Sequence, residues 1–542
     1  MATSLASPVS SAAVERDEHR RERGRAAWLV TALTLLAVVV HGYHPYAEDG
    51  GVYLPEIKRL LRPELYPKGA EFVVGHLRFS IFAPVMAGLV RWSHLQVETV
   101  LLLVHLASFW MTLFAAWVLA ARCYRSREAQ WGAVALLAVW ITLPVAGTSL
   151  MLMDPYVTAR SFSTPLALLA LVGALEFLLP RDRIGLAAAG AEWSAMRGRG
   201  LALCLGALAG AVAMHPLMGV YALGCVMVLG CGMSPSRQVR MWGTLGLCCA
   251  AVAAAGAAQI SAVPESRAYV GVVLSRYYWF LGEWHWFELM GLVAPLAILA
   301  LVAAGRGFGR AEDDTARVGL TRMAVVSGVT AVTVAALFAR EGLATHFVAR
   351  LQPLRIFQLI YVVMILVVGA ALGERVLQRS ALRWVAVLSL LAGIMMVAER
   401  QTYPGSSRVE LPEAMRWSAP ENPWEQAFVW IRRNTPRDAL FALDARYITR
   451  QGEDAQGFRA IAERSVLPDY SKDGGVVSNE PALTGEWMQG LAAQSRLSTE
   501  NDAARMQALR PLGVGWVVLD RGAKTGFRCD YANGVVKVCR VP

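Results

Sequence analysis

The sequence predicts an α-helical polytopic membrane protein of about 11 spans, followed by an extracytoplasmic C-terminal α/β domain. Three observations predict it. The 542 residues are 56% hydrophobic and only 17% charged, with a mean hydropathy of +0.42, which is too apolar for a soluble chain of this length. Apolar runs near the ~20 residues a bilayer requires recur as far as residue 398. Beyond residue 405 the pattern changes to short helix and strand signals with mixed polarity.

Residues 1–25 read as a polar cytoplasmic tail, too charged for a signal peptide. The membrane region, 26–400, has apolar runs at about 26–43, 97–121, 131–151, 163–180, 200–214, 216–232, 240–262, 287–304, 318–339, 355–373 and 383–398. The stretch Phe79 to Trp92 is shorter, holds Pro84 and is bracketed by Arg78 and Arg91. Charge decides its assignment, because Lys and Arg collect in cytoplasmic loops. If it does not cross, the Arg-rich tail and the basic loops starting near Arg122, Arg181, Ser236, Gly305 and Glu374 all share one side. It is therefore read as a juxtamembrane or re-entrant helix within a first outer loop, 44–96. That places the N-terminus in the cytoplasm and the C-terminus outside. The net charge of +11 is then a matter of topology. Nucleic-acid binding is disfavoured, since no basic domain with interleaved aromatics is present.

The C-terminal domain, 405–542, opens with Asn422 as a good N-cap and Pro423 at the first helical turn. Trp424, Phe428 and Ile431 follow at helical spacing. "ALFAL" and "GWVVLD" are short buried-strand candidates. Cys529 and Cys539 flank "DYANGVVKV", a hairpin pattern around Asn533-Gly534, and could pair in an oxidising compartment. The other cysteines lie in or beside apolar runs, with no CxxC spacing for zinc.

This topology sorts the unusual polar residues onto the outer face. The first loop holds "HPYAEDGGVYLPEIKRLLRPELYP", with Glu48 and Asp49 before two glycines and an amphipathic helix. Its apolar face is Leu54, Ile57, Leu60 and Leu61, with Lys58 and Arg59 opposite. That pattern suits a membrane-surface anchor, and Asp-Gly by itself suits a plain turn. Asp154 and Arg160 lie in the second loop, where they suit a structural ion pair as well as a ligand contact. His215-Pro216 sits at an outer turn, where breaking the chain is the simpler role. Arg276 lies among the aromatics Tyr277 to Trp286, and Arg340, Arg350 and Arg355 surround a further loop. Carboxylates can take a proton from an attacking hydroxyl, and arginines can hold a phosphate bidentately. Two acidic loops could also hold a divalent cation through hard oxygen ligands, but no full ligand set can be read.

On Glu48-Asp49, the helix pattern after them, Asp154 in a second outer loop and the soluble outer domain, the chain resembles the GT-C superfamily of integral membrane glycosyltransferases. Relatives more often show Asp-Glu where this chain has Glu-Asp. The resemblance implies sugar transfer from a polyprenyl-phosphate donor on the outer face. It implies Asp49 and Glu48 as catalytic residues and Asp154 as a further acidic residue of the site; the clustering on the outer face adds Arg160, His215, Arg276, Arg340, Arg350 and Arg355 as candidate substrate contacts beside Asp154. Two other classes remain open: a non-catalytic membrane scaffold, and a transporter or flippase, against which stand spans nearly free of interior charge and the lack of repeated halves.

Overall fold

The computed structural model describes residues 8–140, 145–179, 190–305 and 314–542. The basic segments expected from Arg181 and after Gly305, and the middle of the run 131–151, fall in whole or part outside these. Among the described residues, nine helices are long and apolar enough to cross a membrane. Pro216–Gly232 is a shorter apolar helix. The helix at the expected span 131–151 is Arg127–Val139, capped by Ser126 and ended by an extended Trp140. It is therefore shorter than the hydrophobic run, whose end at 145–150 folds back as a turn. The first helix, Pro8–His41, joins the polar tail to the first apolar run without a break.

Many apolar side chains on these helices face outward, as at Trp242, Ile260 and Leu390. Exposed apolar area on this scale suits lipid and not water. The inner faces approach closely where glycines allow it. A Cβ on Gly132 would lie 2.3 Å from the carbonyl oxygen of Gly369, and one on Gly373 would lie 2.0 Å from that of Glu128. Two helices touch backbone to backbone there, the packing that small residues permit in a bilayer.

The C-terminal region forms a five-stranded sheet from β1 (Leu440–Ala442), β2 (Ser465–Val466), β3 (Trp516–Asp520), β4 (Cys529–Ala532) and β5 (Val536–Arg540). The order is β2-β1-β3-β5-β4. β1 runs parallel to β2 and β3, while β5 is antiparallel to both β3 and β4. The helix Pro423–Asn434 starts at Asn422, whose side chain accepts from the backbone of Trp424 at 2.8 Å. Such a cap contributes about 1 kcal/mol. The β4–β5 hairpin carries the Cys529–Cys539 disulfide.

The loop 44–96 and this domain share one core. Tyr46, Leu54, Ile57, Phe82 and Met86 pack with Phe428, Phe441 and Phe458. Backbone bonds stitch them together: Tyr43 N–H to Arg408 at 2.8 Å, Glu48 N–H to Ala455 at 3.1 Å and Gly457 N–H to Tyr46 at 2.9 Å. The loop helix, Gly50–Leu61, thus packs between protein layers. This corrects its expected pose as a surface anchor. Lys58, expected on a solvated face, is buried. Its ammonium lies 2.9 Å from both Glu98 and Glu463 and donates to the Ala460 carbonyl at 2.8 Å. The partners that make this burial tolerable come from outside the loop. The helix Phe82–Ser93 is short and packs against the loop helix, in line with a juxtamembrane role.

Candidate functional site

Four segments distant in sequence meet at Glu48 and Asp49. Asp49 precedes the first turn of the loop helix with helical backbone angles, so the Asp-Gly pair starts a helix and does not form the free turn it suggested. The two glycines serve close approach. A Cβ on Gly50 would lie 2.6 Å from the Pro45 carbonyl, and one on Gly51 would lie 3.0 Å from the Gly457 Cα. Glu48 adopts a left-handed φ of 50°. Its N–H is tied to Ala455, and its carboxylate points to the next layer.

Arg160 Nη1 donates to Asp49 at 2.9 Å, and Arg160 Nε lies 3.3 Å from Asp154. Asp154 and Arg160 are therefore both an ion pair and neighbours of Asp49. From the C-terminal domain, Lys472 Nζ donates to Glu48 and lies 3.5 Å from the other Asp49 oxygen. Burial works against the Asp49 charge, but Lys472, Arg160 and Arg355 outweigh it and hold its carboxyl well below the usual range. Burial raises Asp154, and Arg160 only partly offsets this. Burial opposes the Lys472 charge, yet Glu48 and Asp49 raise it above an ordinary lysine. The site remains reachable, since the side chains of Glu48 and Asp49 are 40% and 35% exposed.

The cations are not fully used. Arg160 Nη2 and Arg355 Nε are buried with no hydrogen-bond partner among the described residues. Leaving such donors unmet costs about 1–3 kcal/mol each, and each unmet buried group calls for an explanation such as water or a ligand. Arg355 lies within electrostatic reach of Asp49, Arg160 and Tyr278. Tyr278 also acts on Lys472, and the half-ring of tyrosines continues with Tyr53 and Tyr156 around Asp49.

Other expected residues lie elsewhere. Arg276 donates to the carbonyls of Ser471 at 2.5 Å and Tyr470 at 2.7 Å, so it docks the turn that carries Lys472. His215 caps the helix after it, accepting from Met218 N–H at 3.5 Å. Arg350 donates to Tyr269 at 3.2 Å, beside a buried Glu265–His346 pair at 2.6 Å. Arg340 is exposed and makes no contact with Asp49 or Lys472 among the described residues. Of the aromatics from Tyr277 to Trp286, Trp279, Phe280 and Trp284 are buried, while Tyr277 and Trp286 are exposed. Only part of that stretch is an exposed belt. His105, within the span Val97–Cys123, packs between Tyr43 and Phe109, and neither ring nitrogen has a hydrogen bond among the described residues.

Lys472 is the residue sequence reasoning missed, since its partner Glu48 lies 424 positions away. A second cluster was also missed. His44 lies 3.0 Å from Glu410 and 3.0 Å from Glu399, and Arg408 lies 2.6 Å from Glu399. The weak signal for it was a histidine directly after a span and two glutamates near the last one. Among the described residues no three His, Cys, Asp or Glu side chains converge to hold a metal. No protein-family model matches the chain, and no curated protein is found similar to it.

Proposed function

We propose that the chain is a membrane glycosyltransferase of GT-C type, working on the extracytoplasmic face of a bacterial inner membrane with a polyprenyl-phosphate sugar as donor. The observation that carries this reading is the pair of unmet guanidinium donors, Arg160 Nη2 and Arg355 Nε, beside accessible carboxylates. Cationic donors without acceptors suit a phosphate, which takes several at once. The disulfide in the C-terminal domain supports an oxidising compartment for that side. The first outer loop shares a core with that domain, so both belong on one side of the membrane.

In this reading an acceptor hydroxyl attacks the sugar C1 while a carboxylate takes its proton. The C1–O bond to phosphate breaks, and the polyprenyl phosphate leaves with the electron pair, its charge held by Arg160 and Arg355. Asp49 is the stronger choice of base because a phosphate held by Arg160 and Lys472 would lie beside it. Those cations make it a poor base while the site is empty. A donor phosphate that engages Arg160 and Lys472 releases Asp49 from them and restores its basicity. Glu48 retains Lys472 or passes it to the phosphate. Asp154 keeps Arg160 oriented from behind.

The test is sugar transfer from a synthetic polyprenyl-phosphate sugar by the purified chain in liposomes. Arg160→Gln and Arg355→Gln are expected to raise the donor KM, and Asp49→Asn to lower kcat. Wild-type kinetics in all three would refute the reading.

One observation favours a second reading. Each carboxylate of the pair already has a cation, so the cluster also works as a clasp between domain and membrane region. As a scaffold's clasp, Lys472→Ala would loosen the C-terminal domain and leave no transfer activity to measure in any variant.

A further inference from the structure

A cleft of about 490 Å³ is lined in part by Lys58, Leu61 and Arg62 at the end of the loop helix. It is lined by five cationic side chains and three carboxylates. Glu98 and Glu463 both contact Lys58, and Glu463 also receives Arg62 at 2.7 Å. Glu413 is met by Arg432 and Arg433. The carboxylates are thereby answered, and two positive charges are left over. Arg464 is buried and donates to backbone carbonyls and the Thr435 hydroxyl, with no carboxylate among its hydrogen-bond partners. Arg437 is 73% exposed, and its nearest carboxylate, Glu64, is 3.8 Å away.

The remaining wall is apolar. Leu61, Val90, Leu95 and Val97 line it. The apolar span Val97–Cys123 starts at this wall, which puts the cleft where a helix enters the bilayer. Beside it the juxtamembrane helix exposes Trp92, and the segment after Glu413 exposes Trp417, at 81% and 98%. Tryptophans exposed on this scale suit the headgroup level of a membrane. A cationic floor and an apolar wall at the start of a span match a molecule with a charged head and a hydrocarbon tail. A free anion has no use for the apolar wall.

We propose that this cleft binds the phosphate headgroup of an anionic phospholipid, with Arg437 and Arg62 as its accessible contacts and Arg464 as the buried charge behind them. The site is separate from the Asp49 cluster and stands whether or not that cluster transfers sugar.

The full chain, purified in a neutral detergent, is titrated with phosphatidylglycerol or phosphatidylcholine while bound lipid is counted by native mass spectrometry. Inorganic phosphate and an Arg496→Ser variant serve as controls, Arg496 being a well-exposed residue of the C-terminal domain. Arg62→Ser with Arg437→Ser is expected to weaken phosphatidylglycerol binding roughly thirtyfold, as two surface charges would, and Arg496→Ser to leave it unchanged. Both arginines are at least 41% exposed, and an unchanged Tm of the double variant checks that it folds. Equal binding of the two lipids, an unchanged affinity in the double variant, or full competition by inorganic phosphate would each overturn the proposal, the last by showing a site for free anion.

Discussion

Two ionic clusters join the loop after the first apolar helix to distant segments, and they differ in exposure. Around His44 every carboxylate and the imidazole are at most 2% exposed. Around Asp49, Glu48 and Asp49 themselves are more than a third open, while Asp154 behind them is buried. Both clusters join segments far apart in sequence, so bridging by itself does not mark function. The closed cluster ties the end of the first span to the end of the last span and the start of the C-terminal domain. The open one keeps Glu48 and Asp49 within reach of a ligand. Closure fits a structural clasp, and openness fits the proposed binding site.

Breaking the closed cluster should cost the most. Glu399→Ala leaves His44 and Arg408 short of a buried partner, an effect of about 3–5 kcal/mol. Thermal unfolding of the detergent-solubilised chain is expected to show a large fall in Tm. Asp49→Asn, at an accessible position where solvent screens the pair, should cost about 1 kcal/mol or less. Comparable losses in the two variants would erase the distinction.

The seam between loop and domain should come next. Gly51→Ala drives a methyl to within 2.8 Å of the Tyr46 carbonyl and 3.0 Å of Gly457. Backbone must shift, at about 1–3 kcal/mol. Faster proteolysis of the C-terminal domain is the expected outcome.

The clasp should also respond to alkali. Burial opposes the His44 charge, but its bonds to Glu399 and Glu410 outweigh this and raise its pKa from 6.5 to about 9. A group raised on folding contributes stability that is complete below its unfolded value and is lost as pH rises through its folded value. Tm should therefore fall between pH 6.5 and about 9, and His44→Gln should flatten that slope. An unchanged slope would mean that the imidazole is neutral in the clasp.

What could be read in advance follows the range of each interaction. The Asn422 cap, the helix after it and the hairpin at Asn533 rest on neighbours within a few residues, and all three are visible in the sequence. The Asp154–Arg160 pair is six residues apart and was open to either role. Lys58 looked solvated because its partners, Glu98 and Glu463, lie outside its own helix. Gly50 and Gly51 looked like turn residues, but only the folded chain shows Pro45 and Gly457 pressed against them. Hydropathy marked the run at 131–151, yet it carries no information on where a helix stops, and Trp140 ends this one early. Lys472 carried no local mark at all.

The central claim is that the open cluster binds a polyprenyl-phosphate sugar and transfers its sugar. The most direct measurement is donor binding and single-turnover transfer in liposomes, comparing the natural chain with Asp49→Asn and Arg355→Gln at matched protein levels. The account predicts that Asp49→Asn still binds donor but transfers at least ~100-fold more slowly, the usual contribution of a general base, while Arg355→Gln binds donor more weakly. Binding and transfer unchanged in both variants, with the fold intact, would contradict it.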